Sequence, residues 1–207
     1  MTEIAHLAAT LFRKAAGRKR LMVAIAGPPG AGKSTLVDAL VPLLPGGETA
    51  IVAMDGFHYD NAVLAARGLT ERKGAPETFD FDGFRHLLER LRMADVDVAV
   101  PVFDRKADLA RAGAALVPAT ARFVLVEGNY LTFEESPWYG LSPLFDVSVW
   151  LDVPMEELER RLVQRWVDHG LTPEAARKRA LSNDLPNARR VFERRRQADV
   201  TIANGQK

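Results

Sequence analysis

Cysteine is absent from the 207 residues, which excludes disulfides, thiolate zinc sites and cysteine nucleophiles together. A reducing, cytoplasmic setting is therefore the expected one. Net charge is nearly absent too. The 28 basic and 27 acidic residues leave +1, so the molecule as a whole has no electrostatic reason to seek nucleic acid or an anionic membrane. No apolar run approaches the roughly 20 residues of a membrane span, so no membrane insertion is expected. No repeat, low-complexity tract or long linker interrupts the chain. The histidines His6, His58, His86 and His169 do not pair at metal-ligand spacing. The stretch 155–196 holds ten arginines and one lysine against seven acids, yet it offers only Trp166 and Phe192 for base stacking. Most of those arginines are read as a solvated helical face.

What is present is organised by hydrophobic periodicity. Five short, nearly continuous apolar segments read as strands buried on both faces: 21–26, 49–54, 122–127, 147–152 and 199–203. Helical patterns separate them, most clearly at 33–44, 80–94 and 155–169. An amphipathic helix is also expected near the N-terminus, with Ile4, Leu7, Leu11 and Phe12 on one face. Alternation of strand and helix implies crossover connections and a parallel sheet covered on both sides, an α/β three-layer sandwich. The length fits a single domain over 1–207. Segment 96–104 also alternates, but Pro101 would interrupt a central ladder, so it belongs at an edge or in an excursion.

Directly after the first strand stands "GPPGAGKST", residues 27–35. Gly27, Gly32, Lys33 and Ser34 match G-x-x-x-x-G-K-[ST] in the required context, a buried strand before and an amphipathic helix after. The loop Gly27, Pro28, Pro29, Gly30, Ala31, Gly32 can turn successive N–H groups inward around phosphate oxygens. The helix start at Lys33, Ser34 and Thr35 adds free donors and a positive dipole end. Lys33 then reaches the β and γ phosphates, and the Ser34 hydroxyl coordinates Mg²⁺. This predicts binding of a nucleoside triphosphate and leaves kinase, regulator and motor open until carboxylates are placed.

Ligands of parallel sheets gather beyond the carboxyl ends of the strands. Two acids stand there, Asp55 after the second strand and Glu127 after the third, each followed by glycine. Glu127 fits the Mg²⁺ side of a site. Asp55 becomes the candidate base, accepting a hydroxyl proton as a γ-phosphoryl group is transferred. On the helix at 155–169, Arg161 and Arg165 lie one turn apart at the edge of the apolar stripe, where two guanidiniums can clamp phosphate oxygens. Arg160 and 177–179 are read as surface. Segment 56–106 is the expected acceptor pocket, with His58, Tyr59, Asp80, Phe103 and Arg105 mixing apolar walls and directional polar groups. The polar stretch at about 165–190, broken at Pro186, is the expected helical lid. Asn183 and Asn187, flanking the proline, read as turn formers.

Residues 27–35, 52–80 and 198–205 together resemble the uridine kinase, phosphoribulokinase and type I pantothenate kinase group of P-loop kinases. The compact length is most similar to short bacterial proteins described as fructose transport system kinases. The resemblance implies a P-loop fold with five parallel strands in the order 2-3-1-4-5. It also implies ATP and Mg²⁺ as cofactors and phosphorylation of a small molecule's hydroxyl: a sugar such as fructose, a nucleoside or a pantothenate-like alcohol. The group's catalytic aspartate falls on Asp55, its Walker B-type acid on Glu127, its phosphate-side arginine on Arg161, and its nucleotide-base loop on Asn204. Type I pantothenate kinases carry Tyr-Ser-His where this chain has Phe103, Asp104 and Arg105, which weakens the case for pantothenate itself. A nucleotide-binding regulatory ATPase of a sugar transport system is the alternative. Neither reading calls for nucleic acid, and both leave room for a homodimer.

Overall fold

A computed structural model describes residues 2–205. Strands β1 (Leu21–Ala26), β2 (Thr49–Ala53), β3 (Val98–Asp104), β4 (Leu109–Val117), β5 (Phe123–Gly128), β6 (Val147–Asp152) and β7 (Val200–Ala203) form two sheets. The main sheet is parallel, in the order β2-β5-β1-β6-β7. With the β3–β4 hairpin set aside, its five strands count off as 2-3-1-4-5, the expected order. All six residues of β1 are buried, because both faces are covered. Leu21, Val23 and Ile25 point into one core layer, and Met22, Ala24 and Ala26 into the other. This two-sided burial is why the central strands read as unbroken apolar runs rather than alternating ones.

Helix α1 (Glu3–Ala15) starts at a Thr2 cap whose hydroxyl accepts from the Ala5 N–H. It buries Leu7, Ala8, Leu11 and Ala15 in the layer of Val23 and Ile25, and each leucine contributes about 1.5–3 kcal/mol. Phe12 is half-exposed and meets Phe123 edge-on. Helices α2 (Lys33–Leu40), α3 (Asn61–Ala66), α4 (Phe81–Met93), α5 (Met155–Asp168), α6 (Pro173–Arg179) and α7 (Leu185–Glu193) complete the fold.

Two features depart from the sequence pattern. The excursion after β2 extends past residue 106, because the Ala- and Gly-rich segment 109–117 is a strand, β4, antiparallel to β3. Pro101 sits where the β3–β4 register shifts, between Val100 and Val102, a position that needs no ladder donor. Pro186 does not break a helix. It lies in the first turn of α7, directly after a π-helical segment at Ala180–Asp184, and the helical run from α6 continues through it.

Register sets the site. Ile25 and Ala53 both stand opposite Glu127, so the loop after β1, the turn after β2 and the Glu127 carboxylate emerge at one edge of the sheet.

Candidate active site

The loop at 27–35 turns on Gly30 and Gly32, with φ of 81° and 87°, values that side chains resist. Any Cβ on Gly32 would also meet the Asn204 amide nitrogen at 2.7 Å. The Lys33 ammonium curls back to donate to the Gly27 carbonyl (3.0 Å), the Pro28 carbonyl (3.1 Å) and Asn129 Oδ1 (2.7 Å). Burial pushes this amine down to about 8, against the opposing pull of Glu127 and Asp55. The Ser34 hydroxyl lies 2.9 and 3.0 Å from the two Glu127 carboxylate oxygens. One hydroxyl and one carboxylate are the hard oxygen donors that suit Mg²⁺, which takes few protein ligands and fills its shell with phosphate and water. No cluster of three acids, histidines or cysteines exists among the described residues, so an all-protein metal cage is not what this edge offers.

A cleft of about 380 Å³ opens beside the loop. On one wall stand Asp55, His58, Phe103 and Arg105. Asp55 occupies the tight 3₁₀ turn after β2, Met54–Phe57, and its carboxylate is 3.7 Å from the Arg105 guanidinium. The His58 ring stacks on Phe79 at 3.9 Å and tilts against Phe103 at 5.1 Å. Burial depresses its protonation, so it is neutral at pH 7, and its Nδ1 is buried without a partner. The Lys73 ammonium, also in this wall, is fully engaged by Asn61 Oδ1 (2.7 Å), the Asp108 carboxylate (2.8 Å) and the Asp108 carbonyl (2.8 Å). Burial alone would raise Asp108, but hydrogen bonds from Lys73 and Asn61 outweigh it and hold the carboxyl low.

The opposite wall comes from α5 and the segment beyond it: Arg165, Trp166, His169, Arg179, Asp184 and Asn187. Arg165 lies 3.6 Å from Asp184, which also accepts from the Trp166 indole N–H at 2.6 Å. Arg179 stacks over the same indole at 5.4 Å and reaches Glu71 at 3.4 Å. The Asn183 amide, buried, donates to the Lys73 carbonyl at 2.8 Å, and Asn187 donates to Asn183 at 3.3 Å. The lid segment is thus tied directly to the acceptor-side excursion.

Several expected site residues lie elsewhere. Asp80 caps α4, its carboxylate accepting from the Gly83 N–H at 3.0 Å, and Tyr59 stacks with Arg67 at 4.6 Å; neither lines the cleft. Arg161 faces the back of the phosphate loop rather than its mouth. Its guanidinium donates to Glu157, four residues before it (2.6 Å), and to the Asn204 carbonyl (2.7 Å). The Asn204 amide in turn donates to the Ala31 carbonyl (2.7 Å). Arg161 and Asn204 therefore brace the loop from outside. Conversely, Arg179 was read as surface, and Lys73, Asp108 and Asn129 carried no sequence signal.

The model of the family described as "Phosphoribulokinase / Uridine kinase family" matches residues 22–206. A crystal structure titled "putative fructose transport system kinase", from Silicibacter sp. TM1040, superposes with a TM-score of 0.93 at 47% identity. It covers 98% of this chain and 100% of its own. Protein YggC of Escherichia coli K12 is 37% identical over 89% of this chain and 78% of its own length. A pantothenate kinase of Sorangium cellulosum is 31% identical over 76% of this chain but only 53% of itself.

Proposed function

Because the chain belongs to the phosphoribulokinase/uridine kinase family, we propose that its cleft transfers the γ-phosphoryl group of ATP to a hydroxyl of a small metabolite, with Asp55 as the base. The coarser statement, an ATP-dependent small-molecule kinase, follows from the family itself. The observation that carries the finer one is the meeting of the phosphate loop, through Pro29, and Asp55 at one cleft, with the Ser34–Glu127 pair on the same sheet edge. Asp55 takes the proton of the acceptor O–H, the alcohol oxygen bonds to the γ-phosphorus, and the bond to the β–γ bridging oxygen breaks to release ADP. The protein's share is positioning and charge. Ser34 and Glu127 would hold Mg²⁺, which would neutralise phosphate charge there. Lys33 leaves its three resting acceptors for the phosphates, while Arg165 and Arg179 face them from the lid. Asp184 holds Arg165 in place, and Arg161 and Asn204 stiffen the loop.

Purified protein incubated with labelled ATP and Mg²⁺ is expected to phosphorylate a member of a panel of sugars, polyols, nucleosides and pantothenate. Tight ATP binding with transfer to none of them would favour a nucleotide-dependent regulator.

Lys33 makes a second expectation. Its amine titrates near 8 in the free protein, whereas phosphate contact favours the charged form and raises the bound-state value. Below pH 8 the charge is present before binding. As pH rises through 8, binding must take up a proton, and ATP affinity falls by up to about tenfold per unit. Calorimetry at pH 9 in two buffers of different ionisation enthalpy should register that proton. Identical heats in both would remove the coupling.

A further inference from the structure

The cations of the cleft are not equivalent. Among the described residues that line it, Lys73 has three protein acceptors at 2.7–2.8 Å. Arg165 is paired with Asp184 and Arg179 with Glu71. Lys33, at the start of α2 beside the cleft, is held by two carbonyls and by Asn129, itself a lining residue. Arg105 differs. It sits at the tip of the β3–β4 hairpin, its side chain is 65% exposed, and among the described residues its sole ionic partner is Asp55 at 3.7 Å, whereas Arg165 and Arg179, besides their carboxylates, also pack on the Trp166 ring.

That partner is the residue assigned as base. The guanidinium stands beside the Asp55 carboxylate, in the space an incoming hydroxyl must enter to reach it. A neutral alcohol supplies nothing to draw Arg105 away. An alcohol carrying its own anion does, because a carboxylate or phosphate accepts two parallel N–H bonds from one guanidinium. The other acidic side chain on this wall, Asp108, is already neutralised by Lys73, so it does not repel such a ligand. Phe103 and the His58–Phe79 stack offer an apolar wall for the carbon skeleton.

We propose that the acceptor is a small anionic alcohol, and that Arg105 is the residue selecting it, by moving from Asp55 to the substrate's carboxylate or phosphate as the hydroxyl takes its place beside the base. Since one guanidinium serves both positions, the anion must lie only a few bonds from the reacting hydroxyl. This inference rests on the kinase reading above and deepens it. The chemistry is the same transfer: the hydroxyl proton goes to Asp55, the new P–O bond forms, and ADP leaves.

The test uses matched pairs that differ in charge close to a hydroxyl: glycerol against glycerate for a carboxylate, fructose against fructose 6-phosphate for a phosphate. In at least one pair the wild-type protein should favour the anionic member by about 10- to 100-fold in kcat/KM, the range of one charged hydrogen-bonding contact. In Arg105→Gln that ratio should collapse to within about threefold, chiefly through a higher KM for the anion, and Arg105→Lys should restore part of it. The carboxylate and phosphate arms separate the two anion types. Turnover of neutral members equal to or above their anionic counterparts overturns the inference and keeps the kinase. An unchanged ratio in Arg105→Gln overturns the role of Arg105. Transfer to no member of any pair overturns both the inference and the kinase reading.

Discussion

Replacing Asp55 by asparagine is expected to lower phosphoryl transfer at least ~10²-fold while leaving ATP affinity nearly intact. Asparagine has the carboxylate's shape and still accepts a hydrogen bond from a hydroxyl, but it does not take the proton. The phosphate loop and Lys33 stand on β1 and α2, whereas Asp55 sits on the turn after β2, so triphosphate contacts persist. Single-turnover kinetics with saturating ATP, paired with an ATP titration by calorimetry, separates the two effects. Equal losses of binding and transfer would remove Asp55 from the base role and leave it a structural acid beside Arg105.

Gly56→Ala is expected to be nearly as damaging, for a different reason. A Cβ on Gly56 would lie 2.6 Å from the Pro101 carbonyl oxygen and 2.9 Å from its carbon, backbone atoms that have no rotamer to escape through. The β3–β4 hairpin must move by roughly 1 Å, and a shift of that size in a positioned group costs about 10²-fold in rate. Because Arg105 rides on that hairpin and Asp55 precedes the glycine, acceptor binding and base geometry change together. Overpacking should also destabilise the fold by about 1–3 kcal/mol. Thermal unfolding followed with the kinetics would register both; a variant with wild-type turnover would show that the turn and hairpin are not a fixed pair.

The glycine after Asp55 illustrates how site information is divided between chain and fold. In the sequence it reads as a turn former after a strand, which it is. Its second role, admitting the hairpin carbonyl, depends on a strand 45 residues further along. Arg161 shows the same division from the other side. Helical spacing placed it beside Arg165, but spacing does not say which acceptor a guanidinium finds, and Glu157 lies within one turn of it. Arg179, Asn183 and Asn187 looked like surface and turn residues because the element that buries them, the lid folded back over residues 71–74, is far away in sequence. Strand β4 has little signature in the sequence because alanine and glycine have weak strand preference; its conformation is imposed by pairing with β3.

The amino-acid sequence alone determined the parallel α/β sheet and the phosphate loop at its first strand end. It also determined the two acids at neighbouring strand ends. Each of these is written in a few adjacent residues, as unbroken apolar runs, glycines at fixed offsets and a carboxylate just past a strand. Only the tertiary structure decided which arginines face the cleft, that Asp80 and Tyr59 do not, and that Arg105 alone among the cleft's cations is held by nothing but the base. Those outcomes depend on competition between partners distant in sequence, and a side chain's donors go to whichever acceptors the folded chain brings within about 3 Å.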